Sequence, residues 1–121
     1  MPLNHGGLTY VYFCNILIFM RILPEPVTFQ WDEGNIEKNF KKHVVTIQET
    51  EEVFTNEPFI TAEDVKHSTN AEQRYQGLGQ TKVNRKLFVA FTVRDKKIRV
   101  ISIRDMKRKE RQLYEWLEKN S

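Results

Sequence analysis

With 121 residues, 40% of them hydrophobic, the chain can build one core and not two, so a single domain with one active or binding face is expected. Its lone cysteine, Cys14, excludes an internal disulfide, and the scattered His5, His43 and His67 lack the spacing of a closed zinc site. A reduced, cytoplasmic protein without metal or cofactor is expected, and the formal charge of +3 is small enough that its placement matters more than its total.

Residues 1–26 read as an apolar N-terminal extension and residues 27–121 as the domain proper. Leu8 to Leu23, LTYVYFCNILIFMRIL, is shorter than the roughly 20 residues of a spanning helix and is interrupted by Asn15 and Arg21, so no membrane association is expected. It also lacks the basic start and small-residue cleavage site of a signal peptide. Two readings stay open: translated sequence upstream of a start at Met20, or an extra edge strand packed on the domain.

Val27 to Trp31 predicts a short strand after Pro26, and Asp32 is placed to cap a helix over Glu33 to Lys42 in which Ile36 and Phe40 share one face. Thr46 and Glu49 have capping-box spacing; they open a short amphipathic helix through Ile47, Thr50, Val53 and Phe54, which Pro58 keeps from continuing. Strands are predicted at Phe59 to Asp64, Gln73 to Leu78, Lys86 to Val93 and Lys97 to Ile103, with turns at Ser68 to Asn70, Gly79 to Asn84 and Arg94 to Lys96. The short connections make these an antiparallel meander, and the nearly continuous apolar runs LFVAFTV and IRVISI suit its centre. A last helix, Met106 to Lys119, aligns Met106, Leu113, Trp116 and Leu117 as an apolar stripe and turns Lys107, Arg108 and Arg111 toward water. The expected fold class is α+β: an antiparallel sheet with two short helices near the start and a C-terminal helix.

Three motifs in this order, FQWDE at Phe29 to Glu33, NFKKH at Asn39 to His43 and RVISIRDMKRKERQLYE from Arg99 to Glu115, resemble the BrnT family of ribonuclease toxins. The resemblance covers about Phe29 to Tyr114, and its motifs are specific in combination. It implies a compact RelE-like fold, cleavage of RNA that inhibits translation and growth, and neutralisation by a cognate BrnA-type antitoxin. That antitoxin carries a ribbon-helix-helix portion, so DNA is reached only indirectly, through the partner. The sequence departs from the family pattern at Asn35, where a lysine is usual, at Val44, where a glycine commonly follows Lys-His, and at Met106, where alanine is common. A degenerate binding protein that keeps the fold and its antitoxin or nucleic-acid binding is the alternative.

Acids dominate from Asp32 to Glu72 and bases from Lys82 to Arg111, so a polyanion is drawn to the second half. RNA cleavage without a metal requires a base for the 2′-hydroxyl, cations for the charge building on phosphate, and an acid for the departing 5′-oxygen. Arginine suits the second role because its fork holds two phosphate oxygens and stays charged. Arg74 and Arg104 are the expected phosphate clamps, with Lys42 and His43 completing the catalytic set. Arg99, Lys107, Arg108, Arg111 and Tyr114 are the expected RNA-binding residues. Strand alternation places Arg74 with Gln76 and Arg104 with Ser102, and points Arg99 away from Arg104 unless a bulge intervenes. Each arginine equally suits an ion pair with an acid such as Glu72 or Glu110. His43 offers acid–base chemistry near neutral pH, yet a histidine in the last turn of a helix also favours the helix dipole. Tyr114, one turn from Glu110, is either a stacking partner for a base or a residue at the core edge.

Overall fold

The computed structural model describes residues 8–13, 16–21, 23, 24 and 26–120, with the first two strands described by their backbone; His5 and Cys14 lie outside the described residues. The elements run β1 (Leu8–Phe13), β2 (Ile16–Arg21), α1 (Glu33–His43), α2 (Ile47–Thr55), β3 (Ile60–Glu63), a 3₁₀ turn (Val65–His67), β4 (Arg74–Gln80), β5 (Lys86–Arg94), β6 (Lys97–Asp105) and α3 (Arg108–Asn120). The fold is α+β. Strands β3 to β6 form the antiparallel meander expected from their short connections. The hairpin β1–β2 extends it to six strands in the order β2-β1-β3-β4-β5-β6, β1 lying parallel to β3.

Local chemistry explains where the elements begin and end. In α2 the Thr46 hydroxyl accepts from the Glu49 N–H at 3.1 Å and the Glu49 carboxylate accepts from the Thr46 N–H at 3.0 Å, so the expected capping box is formed. The β5–β6 hairpin turns on Asp95 and Lys96, both at positive φ (53° and 61°), the combination whose twist matches the flanking strands. Gly79 stays inside β4 rather than opening the turn, which contracts to the residues after Gln80. A Cβ there would sit 2.7 Å from Val53 Cγ1, and one on Gly77 would sit 2.6 Å from Phe59 Cζ. Both glycines thus let β4 lie close under α2 and Phe59.

Val27 to Trp31 is not a full strand. It makes a single parallel bridge, Phe29 with Ile98, through Gln30 N–H to Ile98 O and Ile98 N–H to Thr28 O, each 2.8 Å. Phe29 and Trp31 pack instead on the main core, which unites Val45, Val53 and Phe54 with Phe59, Leu87, Val89, Phe91, Ile98, Val100 and Ile103. This core lies between α2, the Val27–Trp31 segment and one face of the sheet. A smaller cluster on the opposite face joins Ile60 and Leu78 to Met106, Tyr114 and Leu117, where α3 docks.

The stripe expected on α3 is rotated. Leu117 and Met106 are buried, but Leu113 is 38% and Trp116 59% exposed, and Tyr114 takes the inner position at 0%. Burial of a phenol is tolerated here because its hydroxyl donates to Pro58 O at 2.6 Å. On α1 the expected apolar face is shallow: Ile36 is half-buried and Phe40 exposed.

Among the described residues, the end of α1 carries the one β-branched side chain at positive φ. Val44 has φ +52°, and its N–H bonds Phe40 O at 2.9 Å, a left-handed helix stop that glycine normally supplies. A β-branched residue there costs about 1–2 kcal/mol, against about 0.5–1 kcal/mol for the extra unfolded-state freedom of glycine. With its side chain exposed, Val44 has little packing to lose. Val44→Gly is therefore expected to stabilise the fold by about 0.5–1 kcal/mol, read as a higher urea midpoint at unchanged slope; a lower midpoint would show that Val44 is not strained.

Candidate functional site

The helices α1 and α2 close one sheet face, and α3 covers only part of the other, so the candidate arginines are placed by which face they take. In β6, Ser102 pairs with Ala90 while Val100 pairs with Phe91, which leaves Ile101 as an extra residue. This bulge lets Ile98, Val100 and Ile103 all point into the main core at 0% exposure and shifts the alternation by one. Arg99 and Arg104 therefore share the α3-side face instead of pointing apart. Arg74 joins them, since Arg74, Thr92 and Arg99 are direct partners across three neighbouring strands. Strand spacings put Arg74 and Arg99 about 10 Å apart, and Arg99 and Arg104 roughly 13 Å apart along β6.

Each of the three already has an acid. Arg104 forms a two-pronged pair with Glu110, Nη1 to Oε1 at 2.8 Å and Nη2 to Oε2 at 2.9 Å. It also donates to Asp105 O at 3.1 Å and lies 4.1 Å from the centroid of the Phe88 ring. Burial pushes the Glu110 carboxyl up, but Arg104 and the Lys107 N–H outweigh it and hold the group below the ordinary range. Arg99 meets Asp32 at 3.0 Å. Arg74 stands 3.4 Å from Glu72, which Arg94 holds more tightly. The Arg74 side chain is 39% exposed against 24% for Arg104, so it is the more accessible of the expected clamps.

A second group gathers at the Asp105 end of β6. Arg85 reaches three elements at once: Nε to Asp105 Oδ1 at 2.9 Å, Nη2 to Asp105 Oδ2 at 3.1 Å, Nη1 to Glu49 Oε2 at 3.0 Å, Nη1 to Val44 O at 2.9 Å and Nη2 to His43 O at 3.2 Å. Arg85 holds the Asp105 carboxyl below its ordinary range, with smaller contributions from Arg111 and His43. His43, at the last turn of α1, and Arg111, in the first turns of α3, thus both stand near Asp105. Lys42 is exposed on the same turn of α1, and Lys107 and Arg108 are exposed at the start of α3.

The expected residues therefore fall into two sets. Lys42, His43, Arg104, Lys107, Arg108 and Arg111 collect around the C-terminal end of β6, His43 from the α1 side of the sheet and Arg104 from the α3 side. Arg74 and Arg99 sit at the far end of the α3-side face. Tyr114 belongs to neither: fully buried, with its hydroxyl engaged by Pro58 O, it presents no face to a nucleobase, and burial pushes its phenol well up. Sequence reasoning passed over Arg85 and Asp105. The partners of Arg85 lie 20 to 42 residues away, and no local pattern marks such a residue.

Among the described residues no group of three or more His, Cys, Asp and Glu side chains could hold a metal ion, and no helix is long and apolar enough to cross a membrane. An open groove between Phe29, Trp31, Glu51 and Lys82 lies on the helical side and includes none of the candidate residues.

The family model for the ribonuclease toxin BrnT of type II toxin-antitoxin systems matches residues 31–110. The chain belongs to the BrnT family. The match spans both sets of residues apart from Arg111, from Asp32 beside Arg99 to Glu110 beside Arg104, and it places the chain among toxins paired with a protein antitoxin. It starts after the β1–β2 hairpin. No curated protein matches the chain.

The acids of a BrnT fold so rich in ion pairs should control its tolerance of low pH. Glu72 is lowered chiefly by Arg94, Asp105 chiefly by Arg85, and Glu49 ends low although burial opposes the Thr46 and Arg85 hydrogen bonds. Unfolding returns such groups to their ordinary values, 4.5 for Glu and 3.8 for Asp. Their contribution is full above those values and is lost as the pH falls through the lower folded ones. Unfolding free energy is expected to be level near neutrality and to drop below pH 4.5, with a shallower drop in Asp105→Asn; denaturant curves across the acid range check this, and an identical slope in the variant would refute the assignment.

Proposed function

We propose that the chain is a metal-independent endoribonuclease of RelE-like architecture that cuts RNA in the cytoplasm, stops translation and growth, and is restrained by a BrnA-type antitoxin with a ribbon-helix-helix domain. The observation that carries this reading is the placement of Arg74, Arg99 and Arg104 on one face, continued by Lys107, Arg108 and Arg111. Their separations suit a run of backbone phosphates better than a single one. Glu110 occupies the Arg104 fork in the way a phosphate would, since both offer two oxygens in one plane.

In this reading a base removes the 2′-hydroxyl proton, the 2′-oxygen attacks phosphorus, and the bond to the 5′-oxygen breaks as an acid protonates that oxygen. The products are a 2′,3′-cyclic phosphate and a 5′-hydroxyl. Arg104 stabilises the charge on the non-bridging oxygens, and His43, with Lys42 beside it, supplies the proton traffic at the rim of the sheet. DNA lacks the attacking hydroxyl and so is not a substrate.

One observation favours the alternative of a degenerate binding protein: each of the three arginines is already paired with an acid. The two readings separate in one experiment. Purified protein is expected to cleave cellular RNA in the presence of EDTA and to leave DNA intact. Arg74→Ala and Arg104→Ala combined should reduce cleavage by about 10²-fold or more and abolish growth arrest on expression. Intact RNA with folded wild-type protein would establish the degenerate reading, and full activity in the folded double variant would remove these arginines from the site.

A further inference from the structure

We propose that Arg85 is a positioning residue: its guanidinium sets His43 against the Asp105 end of β6 and so joins the acid–base side of the site to the phosphate side. This inference rests on the nuclease reading above and adds to it a residue that touches neither RNA nor the reacting atoms.

The geometry is specific to a guanidinium. Nε, Nη1 and Nη2 make five hydrogen bonds between 2.9 and 3.2 Å to Asp105, Glu49 and the carbonyls of His43 and Val44, and a guanidinium has five N–H donors to give. Two acceptors are the carbonyls of His43, the last residue of α1, and of Val44 just beyond it, at a helix end whose last carbonyls have no partner within the helix. Asp105 is fixed on the other side of the same fork, and its own carbonyl accepts from Arg104 at 3.1 Å. One chain of contacts therefore runs from His43 through Arg85 and Asp105 to Arg104. Arg85 is itself anchored: its N–H donates to Thr81 Oγ1 at 3.1 Å and its carbonyl accepts from the Thr81 N–H at 2.9 Å, across a turn in which Asn84 takes φ +67°. A lysine cannot replace it, because an ammonium offers donors from one point and not from a planar fork. Displacement of a catalytic group by about 1 Å can cost on the order of 10²-fold in rate.

The test compares wild type, Arg85→Lys and Val53→Ala, the last a core variant on α2 outside the site that controls for lost stability. Cleavage of a defined RNA is measured below the melting temperature of all three, and the side-chain NMR signals of His43 are recorded in each. In Arg85→Lys, kcat is expected to fall about 10²-fold with KM changed less than threefold, and the His43 imidazole signals to move. Val53→Ala should keep kcat and the His43 signals despite its lower melting temperature. Wild-type kcat in Arg85→Lys, unmoved His43 signals, or an equal loss of kcat in Val53→Ala would each overturn the proposal. Wild-type protein that does not cleave RNA would defeat the nuclease reading instead, and the His43 signals would then decide the positioning role alone.

Discussion

The arrangement depends on a single guanidinium in the β4–β5 turn. A short helix such as α1 is not stable by itself in water, and α1 packs only a shallow apolar face, with Phe40 left exposed. Beside the buried Val45, its C-terminal end is tied to the sheet by Arg85, which serves two helix-end carbonyls and two carboxylates together. Glu49 then belongs to two devices, the α2 capping box and the Arg85 pair. The start of α2, the end of α1 and the end of β6 are consequently fixed by the same small group of atoms.

A second constraint acts along β6. The sheet has two claims on this strand, a core on one side and a cationic face on the other. A strand of unbroken alternation could not place Ile98, Val100 and Ile103 on one side, because Ile103 is out of phase with the other two. One extra residue at Ile101 satisfies the core and, by the same shift, brings Arg99 and Arg104 to a common face. The core requirement and the cationic face thus have one cause. The acids facing those arginines, Asp32, Glu72 and Glu110, keep the cations oriented in the absence of a polyanion.

Much of this was legible in the sequence. The capping box at Thr46 and Glu49, the turn at Asp95 and Lys96 and the apolar runs of β5 and β6 are local signals, and these features formed within a few residues of their expected places. Ion pairs to Glu72 and Glu110 were also readable, because the partners lie close in sequence to Arg74 and Arg104. What escaped was non-local. The bulge at Ile101 goes with the entry of Ile98, Val100 and Ile103 into the main core, and the inward turn of Tyr114 goes with a hydrogen bond to the Pro58 carbonyl. Arg85 looked like one more base in a polar turn. Val27 to Trp31 misled for a related reason: its apolar residues serve the core, and only Phe29 meets β6.

The position of the β1–β2 hairpin carries a consequence for how the molecule assembles. Its two strands pair with each other through neighbours in sequence, whereas β1 meets β3 only after the chain has passed through α1 and α2. Long closures of this kind are slow to form because loop entropy opposes them before contacts reward it. The meander β3–β6, built from local hairpins, has no such delay. The hairpin is therefore joined to β3 across a longer stretch of sequence than any other described strand pair, and its docking carries a loop-closure cost that the hairpins of the meander do not.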